Sequence, residues 1–344
     1  MGNILILTPR LHTLTGNLVT ASRMADNLRC LGQHTIVMEV GTEDIEIGHV
    51  KLVMCEHEVD KVVFLHAHKT GHLLLKLQHW AEDHARTVVV LTGSDIHGEC
   101  MFETLETLRA ADAIVSQNRL TVVRLNSSNY TWGKKVSWLP QGLDVRYVSE
   151  CQSWPYKYLK QGEYVDYRRI LVPASIRRVK NLLQLAYWFG KLEGQVNWKF
   201  KVGFCGAMLD HNYESELKTM CATNDSCGYL GYIKESEMRS AMEQSDLVVN
   251  NSNHEGLCQS LVESYLAGTH ILARDHEGNN GLKGQLPHGV MDTFKDFNEF
   301  KAQFTTLLSE EGLDSGFNPN PTLFDSTVEA ESLLALFSSI PEPA

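Results

Sequence analysis

No run of this 344-residue chain approaches the roughly 18 uncharged apolar residues that a membrane-crossing helix needs, so no integral membrane segment is expected. Eight cysteines are scattered without a C-x-x-C pair, which removes both a disulfide framework and a zinc knuckle and leaves reduced core thiols as the reading. With only nine prolines, no low-complexity tract and no fixed-period repeat, the composition is that of an ordinary folded globule. The chain contains no G-x-x-x-x-G-K-[ST], no G-x-G-x-x-G and no H-E-x-x-H, so nucleoside-triphosphate hydrolysis, dinucleotide redox chemistry and zinc peptidase chemistry lose their best sequence support. It also lacks D-x-D, a carboxylate pair that holds a divalent cation against a diphosphate.

Positive charge is the scarcer sign. Thirty-one basic residues stand against 42 acidic ones, a formal charge of −11, which argues against nucleic acid or an anionic membrane as the main partner. A local basic pocket remains compatible with that balance. The apolar start, ILIL (4–7), has no preceding positive residue and stops at Thr8, Pro9 and Arg10, too short for a signal-peptide core. It reads as a first β-strand of a cytoplasmic, soluble protein; secretion has no evident signal.

What the chain does have is alternation. Continuous apolar runs NILILTP (3–9), HTIVMEV (34–40), VDKVVFLHAH (59–68), TVVVLTG (87–93), DAIVSQ (112–117) and KVSWLPQG (135–142) predict strands covered on both faces. Segments of helical spacing, NLVTASRMADNLRCLG (17–32) and GHLLLKLQHWAEDHA (71–85), sit between several of them, with Gly32 as a C-terminal stop. The rhythm breaks at the polar, aromatic-rich stretch 151–168 and restarts at RILVPAS (169–175). The fold class is therefore α/β with two doubly wound domains: an N-terminal domain over 1–150, an interdomain crossing at 151–168, a C-terminal domain over 169–320, and a tail over 321–344 whose SLLALFSSI (332–340) is a last helix packing back on the first domain. Ligands of open parallel sheets bind beyond the carboxyl ends of the strands, and two such sheets facing each other predict a cleft.

Four segments fall at those strand ends. LTPRLHTLTGN (7–17) leaves the first strand for a helix at Gly16 and Asn17, whose backbone N–H groups can meet an anion or a hydroxyl. HAHKTG (66–71) and LTGSDIHG (91–98) end two further strands with imidazoles and a carboxylate; His66, His68 and Asp95 are candidate contacts to a sugar or an acceptor, and no third ligand supports a metal there. PASIRRVKNLL (173–183) crowds Arg177, Arg178 and Lys180 at a helix start, where positive side chains oppose the macrodipole unless an anion joins them. A diphosphate resolves that conflict.

The fourth segment, NHEGLCQSLVESYLAG (253–268), carries a loop glutamate, Glu255, then the turn Gly256, Leu257 and Cys258, and a second glutamate, Glu263, on the helix. Eight residues of separation put the two carboxylates roughly 9–12 Å apart along a helical rise. One can accept hydroxyls of a sugar and the other those of a ribose, as the two ends of a nucleotide sugar require.

The letters EGLCQSLVESYLAGTHILA (255–273) resemble the retaining glycosyltransferases of the two-Rossmann GT-B fold, the group known as glycosyl transferases group 1. ADAIVSQN (111–118), WLPQGLDV (138–145) and GYLGYIKESEMRSAMEQSDLVV (228–249) extend the resemblance across roughly residues 1–280, to the end-of-domain strand, the P-N-G-V-D turn and the base-binding strand with its helix. It implies a donor that is a nucleoside diphosphate sugar, an unidentified acceptor, and no cofactor or metal. By position it implies Glu255 at the donor sugar, Glu263 at the ribose, Lys180 with Arg177 at the diphosphate, Gly231 and the 256–258 turn on the donor, and Gly16 with Asn17 approaching the phosphate from the first domain.

The chain departs from the pattern in three places. Arg177 stands three residues before Lys180 where many members place an arginine five before, a position held here by Ser175, so either Arg177 or Arg178 meets the diphosphate. Gln141 replaces an asparagine, and Asn17 the second of two glycines. The implied activity is metal-independent transfer of a hexose to an acceptor hydroxyl with retained configuration. The alternatives are an inactive sugar-nucleotide-binding protein and a sugar-nucleotide epimerase of the same fold.

Overall fold

The computed structural model describes residues 3–10, 16–41, 45–81, 84–93, 95, 100–128, 135–143, 167–310, 312 and 316–342. The crossing expected at 151–168 lies outside them except for its last two residues, as do residues 11–15 of the first strand-to-helix turn. Two compact units divide the chain: Met1–Asp144 with His254–Leu257 and Thr322–Ala344, and Val145–Asn253 with Cys258–Pro321.

The first unit runs β1 (Asn3–Pro9), α1 (Gly16–Cys30), β2 (Thr35–Val40), α2 (Ile45–Glu56), β3 (Val59–Leu65), α3 (Ala67–Ala81), β4 (Arg86–Leu91), α4 (Cys100–Ala110), β5 (Ala113–Ser116), α5 (Arg119–Ser127) and β6 (Val136–Trp138). All strand pairs are parallel, in the order β2-β1-β3-β4-β5-β6, so the chain reverses its direction of travel across the sheet beside β1. Apolar residues fill both faces of the central strands: Leu5, Val62, Phe64 and Val89 pack on one side, Ile4, Ile6, Val63 and Val88 on the other. This is why these strands read as unbroken apolar runs instead of alternating ones.

The second unit runs β7 (Tyr167–Pro173), α6 (Leu182–Leu192), β8 (Lys199–Cys205), α7 (His211–Ala222), β9 (Cys227–Gly231), α8 (Glu235–Glu243), β10 (Leu247–Asn250), α9 (Gln259–Leu266), β11 (Ile271–Arg274), α10 (Glu277–Lys283), β12 (Met291–Phe294) and α11 (Phe297–Leu307). Its parallel order, β12-β11-β10-β7-β8-β9, places the reversal between β7 and β10. In α6 the buried positions Leu182, Leu185, Ala186, Phe189 and Leu192 recur at three and four residues, one face of a helix. That face meets an aromatic cluster, Phe189 against Phe200, Phe204, Phe300 and Phe304.

A last helix, α12 (Ser326–Ser339), belongs to the first unit and packs along α1. Ala330, Leu333 and Phe337 join the core around Ile4, Ile6 and Met24, and Arg86 Nη1 donates to the Phe337 carbonyl at 3.2 Å.

Candidate functional site

In the second unit the chain leaves β7 at Pro173 and bridges to the end of β8: Ala174 N donates to Cys205 O and Ile176 N to Ala207 O, both at 2.8 Å. Gly206 sits in this crossing at φ +147°, where a Cβ would overlap the Ala174 carbonyl oxygen, so only glycine fits. The run expected to open a helix folds instead as a single 3-10 turn, Arg178–Lys180, and α6 begins at Leu182 after Asn181 in the left-handed conformation, φ 52°. The delay puts the three basic residues on different sides. Arg178 pairs with Glu216 at 3.0 Å and Asp210 at 3.8 Å, over the Tyr213 ring, and so is turned to carboxylates of α7. Arg177 is extended and exposed, whereas Lys180 is buried to 9% exposure.

Cys258 caps α9 in extended conformation, its Sγ 3.4 Å from Asn250 Nδ2 and 3.3 Å from Ser260 Oγ. Ser260 Oγ reaches the Pro173 carbonyl at 3.4 Å, which sets the amino end of α9 over the reversal point between β7 and β10. This is the place where an open parallel sheet takes its ligand, and backbone N–H groups of a helix start there favour an anion. Glu263, half-buried one turn further, accepts from Gln259 Nε2 at 2.8 Å. Gly231 closes β9 at φ +76° and accepts from Gly206 N at 3.0 Å. Lys180, Cys258, Glu263 and Gly231 thus share the carboxyl edge of one sheet.

Glu255, Gly256 and Leu257 cluster with the first unit. There Asn118 Nδ2 donates to Gly256 O at 2.7 Å, and a Cβ on Gly256 would meet the Thr92 carbonyl. Glu255 is half-buried.

The strand ends of the first unit join His66, His68 and Asp95. His66 follows β3 at φ +81°, unusual for a residue with a side chain, and is 2% exposed. Its Nδ1 accepts from Lys69 N at 3.2 Å and lies 3.9 Å from Asp95 Oδ2; the His66 and His68 rings are 6.4 Å apart. Burial holds the His66 imidazole below its usual range, against the opposing pull of Asp95. Asp95 itself is fully buried. Its carboxylate accepts from the backbone N–H groups of Ala67 (2.8 Å), Thr92 (3.0 Å) and Gly93 (2.9 Å), pinning the ends of β3 and β4 together. Gly16 opens α1, exposed and with open space around it, followed by half-buried Asn17.

Sequence reasoning did not single out a polar network on the second unit's ligand edge. Asn251, just past β10, donates through Nδ2 to Asn181 O (2.9 Å) and accepts through Oδ1 from Arg274 Nη1 (3.2 Å); Arg274 Nη1 also donates to Gln184 Oε1 at 2.9 Å. Asn279 Nδ2 ties Asn250 Oδ1 to the Arg274 carbonyl. The only sequence signal was the run NNSN (250–253) directly after an apolar strand. Among the described residues there is no group of three His, Cys, Asp or Glu side chains able to hold a metal, and no helix long and apolar enough to cross a membrane.

The chain is similar to known proteins over most of its length. Glycosyltransferase 1 domain-containing protein 1 of Xenopus tropicalis is 23% identical over 320 residues, covering 88% of this chain and 87% of the relative. Among solved structures, sucrose-phosphate synthase of Thermosynechococcus elongatus is similar with a TM-score of 0.74 at 12% identity, over 98% of this chain and 95% of that one. HepE of Anabaena, solved in complex with UDP and glucose, is similar with a TM-score of 0.71 at 16% identity, over 98% of this chain and all of that one, 100%. At such identities the likeness carries the fold, the GT-B architecture of two Rossmann-like domains. Residues 159–321 match the model described as glycosyl transferases group 1.

Proposed function

We propose that this protein transfers a hexose from a nucleoside diphosphate sugar to an acceptor hydroxyl, without a metal and with retained anomeric configuration. The observation that carries the reading is the position of α9's amino end at the reversal point of the second sheet, where Asn253 N, just past β10, donates to the carbonyl of Val179, the neighbour of Lys180, at 2.9 Å, inside the segment that matches the family model. Lys180 and Arg177 receive the charge that develops on the departing diphosphate, together with the N–H groups at the start of α9. Glu263 accepts ribose hydroxyls and Glu255 hydroxyls of the donor sugar, with Gly231 and the turn at 256–258 against the donor. Gly16 and Asn17 are assigned to the donor's phosphate.

For Arg178 the ion pairs with Glu216 and Asp210 favour Arg177 as the diphosphate's arginine. His66 and His68 remain the imidazoles assigned to sugar or acceptor. Asp95, with both oxygens on backbone amides, acts by holding their loop. UDP sugars are the first donors to test, because a structural neighbour is solved with UDP.

The test is product analysis by proton NMR after incubation with UDP-, GDP- and ADP-sugars and a panel of hydroxylated acceptors. A glycoside with the donor's anomeric configuration supports the reading. An inverted product contradicts retention, an epimerised donor formed without acceptor makes the protein an epimerase, and nucleotide binding with no turnover makes it a binding protein.

A further inference from the structure

Arg274 ends β11 on the same carboxyl edge as Lys180, and among the described residues it has no counter-ion. Among the described residues, its guanidinium donates to two neutral amide oxygens, Gln184 Oε1 at 2.9 Å and Asn251 Oδ1 at 3.2 Å, both reached by Nη1. Among the described residues no carboxylate oxygen lies within 4.0 Å of the guanidinium. The adjacent Asp275 is turned away, to Asn280 Nδ2 at 2.5 Å and Lys295 Nζ at 3.7 Å. The Nε and Nη2 groups of Arg274 are accessible and bonded to no described residue. A half-buried guanidinium fixed at one nitrogen and open at the others is a donor fork awaiting an acceptor.

Gln184 sharpens the point. Its Oε1 accepts three donors: Asn181 Nδ2 at 2.7 Å, Arg274 Nη1 at 2.9 Å and Asn251 Nδ2 at 3.3 Å. Its Nε2 donates to no described residue. A glutamate of the same shape would accept the same three bonds and neutralise Arg274 as well, so nothing in the local packing calls for the amide. A neutral residue here leaves the positive charge unspent and adds a second donor group beside it. The network also runs to the proposed diphosphate site in two bonds, from Arg274 to Asn251 Oδ1 and from Asn251 Nδ2 to the carbonyl of Asn181, the neighbour of Lys180.

We propose that Arg274, oriented by Asn251 and Gln184, is an anion-binding residue that takes a phosphate or carboxylate oxygen of a substrate at this edge. The chemistry is common to two sources, the donor's diphosphate and an anionic acceptor; only the donor source rests on the function proposed above.

The experiment is calorimetric titration of the full chain with inorganic phosphate, in the wild type, Arg274→Gln and Gln184→Glu, each with its thermal midpoint recorded. Gln184→Glu keeps every hydrogen bond of the network, so it folds and loses only the free charge. The expected result is phosphate binding by the wild type that falls about tenfold or more in both variants, with the thermal midpoint of Gln184→Glu unchanged or raised. Repeating the wild-type titration with UDP present separates the sources: phosphate displaced by UDP assigns Arg274 to the donor, and phosphate still bound assigns it to an anionic acceptor. Phosphate binding by Gln184→Glu equal to that of the wild type, or no binding by the wild type, overturns the proposal. Neither result bears on whether sugar is transferred, which the NMR product analysis reads separately.

Discussion

Arg23 of α1 lies 3.0 Å from Glu329 of α12, an ion pair whose side chains are 8% and 1% exposed. Asn27 Nδ2 (2.8 Å) and Gln117 Nε2 (2.7 Å) also donate to this carboxylate, and the Gly142 backbone bonds it too. The last helix is therefore fastened to the first by a buried charge as well as by Leu333 and Phe337. Burial pushes the Glu329 carboxyl up, with Arg23 opposing. A carboxyl raised in the folded state binds its proton more tightly there than when unfolded, so its contribution is greatest at low pH and is lost as pH rises above the ordinary 4.5. Removing the arginine strengthens that trend. Arg23→Met is expected to lose about 3 kcal/mol in urea unfolding, with the loss larger at pH 7 than at pH 5. A loss independent of pH would show that the pair contributes only packing.

His66 predicts the opposite slope. Its imidazole is held low, so the unfolded chain takes up the proton first, and stability falls as pH drops through 6.5. One such proton limits the slope to about 1.4 kcal/mol per pH unit. Asparagine tolerates the left-handed backbone at φ +81° and does not titrate. In His66→Asn the fall in thermal midpoint between pH 6.5 and 5 is expected to shrink; an unchanged profile would assign the acid sensitivity elsewhere, with Asp95, Lys69 and His68 as the neighbouring charges to examine.

Gly206→Ala places a methyl against the Ala174 carbonyl at a backbone conformation of φ +147°. Strain of this kind costs about 1–3 kcal/mol. The displaced segment also carries the chain toward Lys180, so nucleotide binding is expected to weaken beyond what the loss of stability explains. Gly16→Ala serves as the control, since a Cβ there meets nothing within 4 Å. Equal effects of the two substitutions on unfolding would contradict the account.

The fold was legible because its strands are doubly covered. NILILTP became β1 residue for residue, and β2, β3 and β5 fell inside the predicted runs 34–40, 59–68 and 112–117. Boundaries set by single backbone angles were not legible: His66 ends β3 by turning left-handed, and Asn181 delays α6 by doing the same, so three basic residues predicted at one helix start took separate directions. The segment 253–268 was readable as a loop, turn and helix because its glycine and glutamates stand in a tight pattern. Arg274 and Gln184 were not, because they lie 90 residues apart and are joined only by the parallel order of β7, β10 and β11. Asp95 looked like a free carboxylate, and only coordinates reveal three backbone amides on it.

Release of nucleoside diphosphate from a sugar nucleotide by wild type and Lys180→Ala, with and without a chelator, tests the central claim most directly. Loss of one charge-stabilising group at a leaving phosphate costs on the order of 10²–10³ in rate. The account predicts release by the wild type, undiminished by chelator, and a loss of that size in Lys180→Ala with the thermal midpoint unchanged; full activity of Lys180→Ala on a verified donor would contradict it.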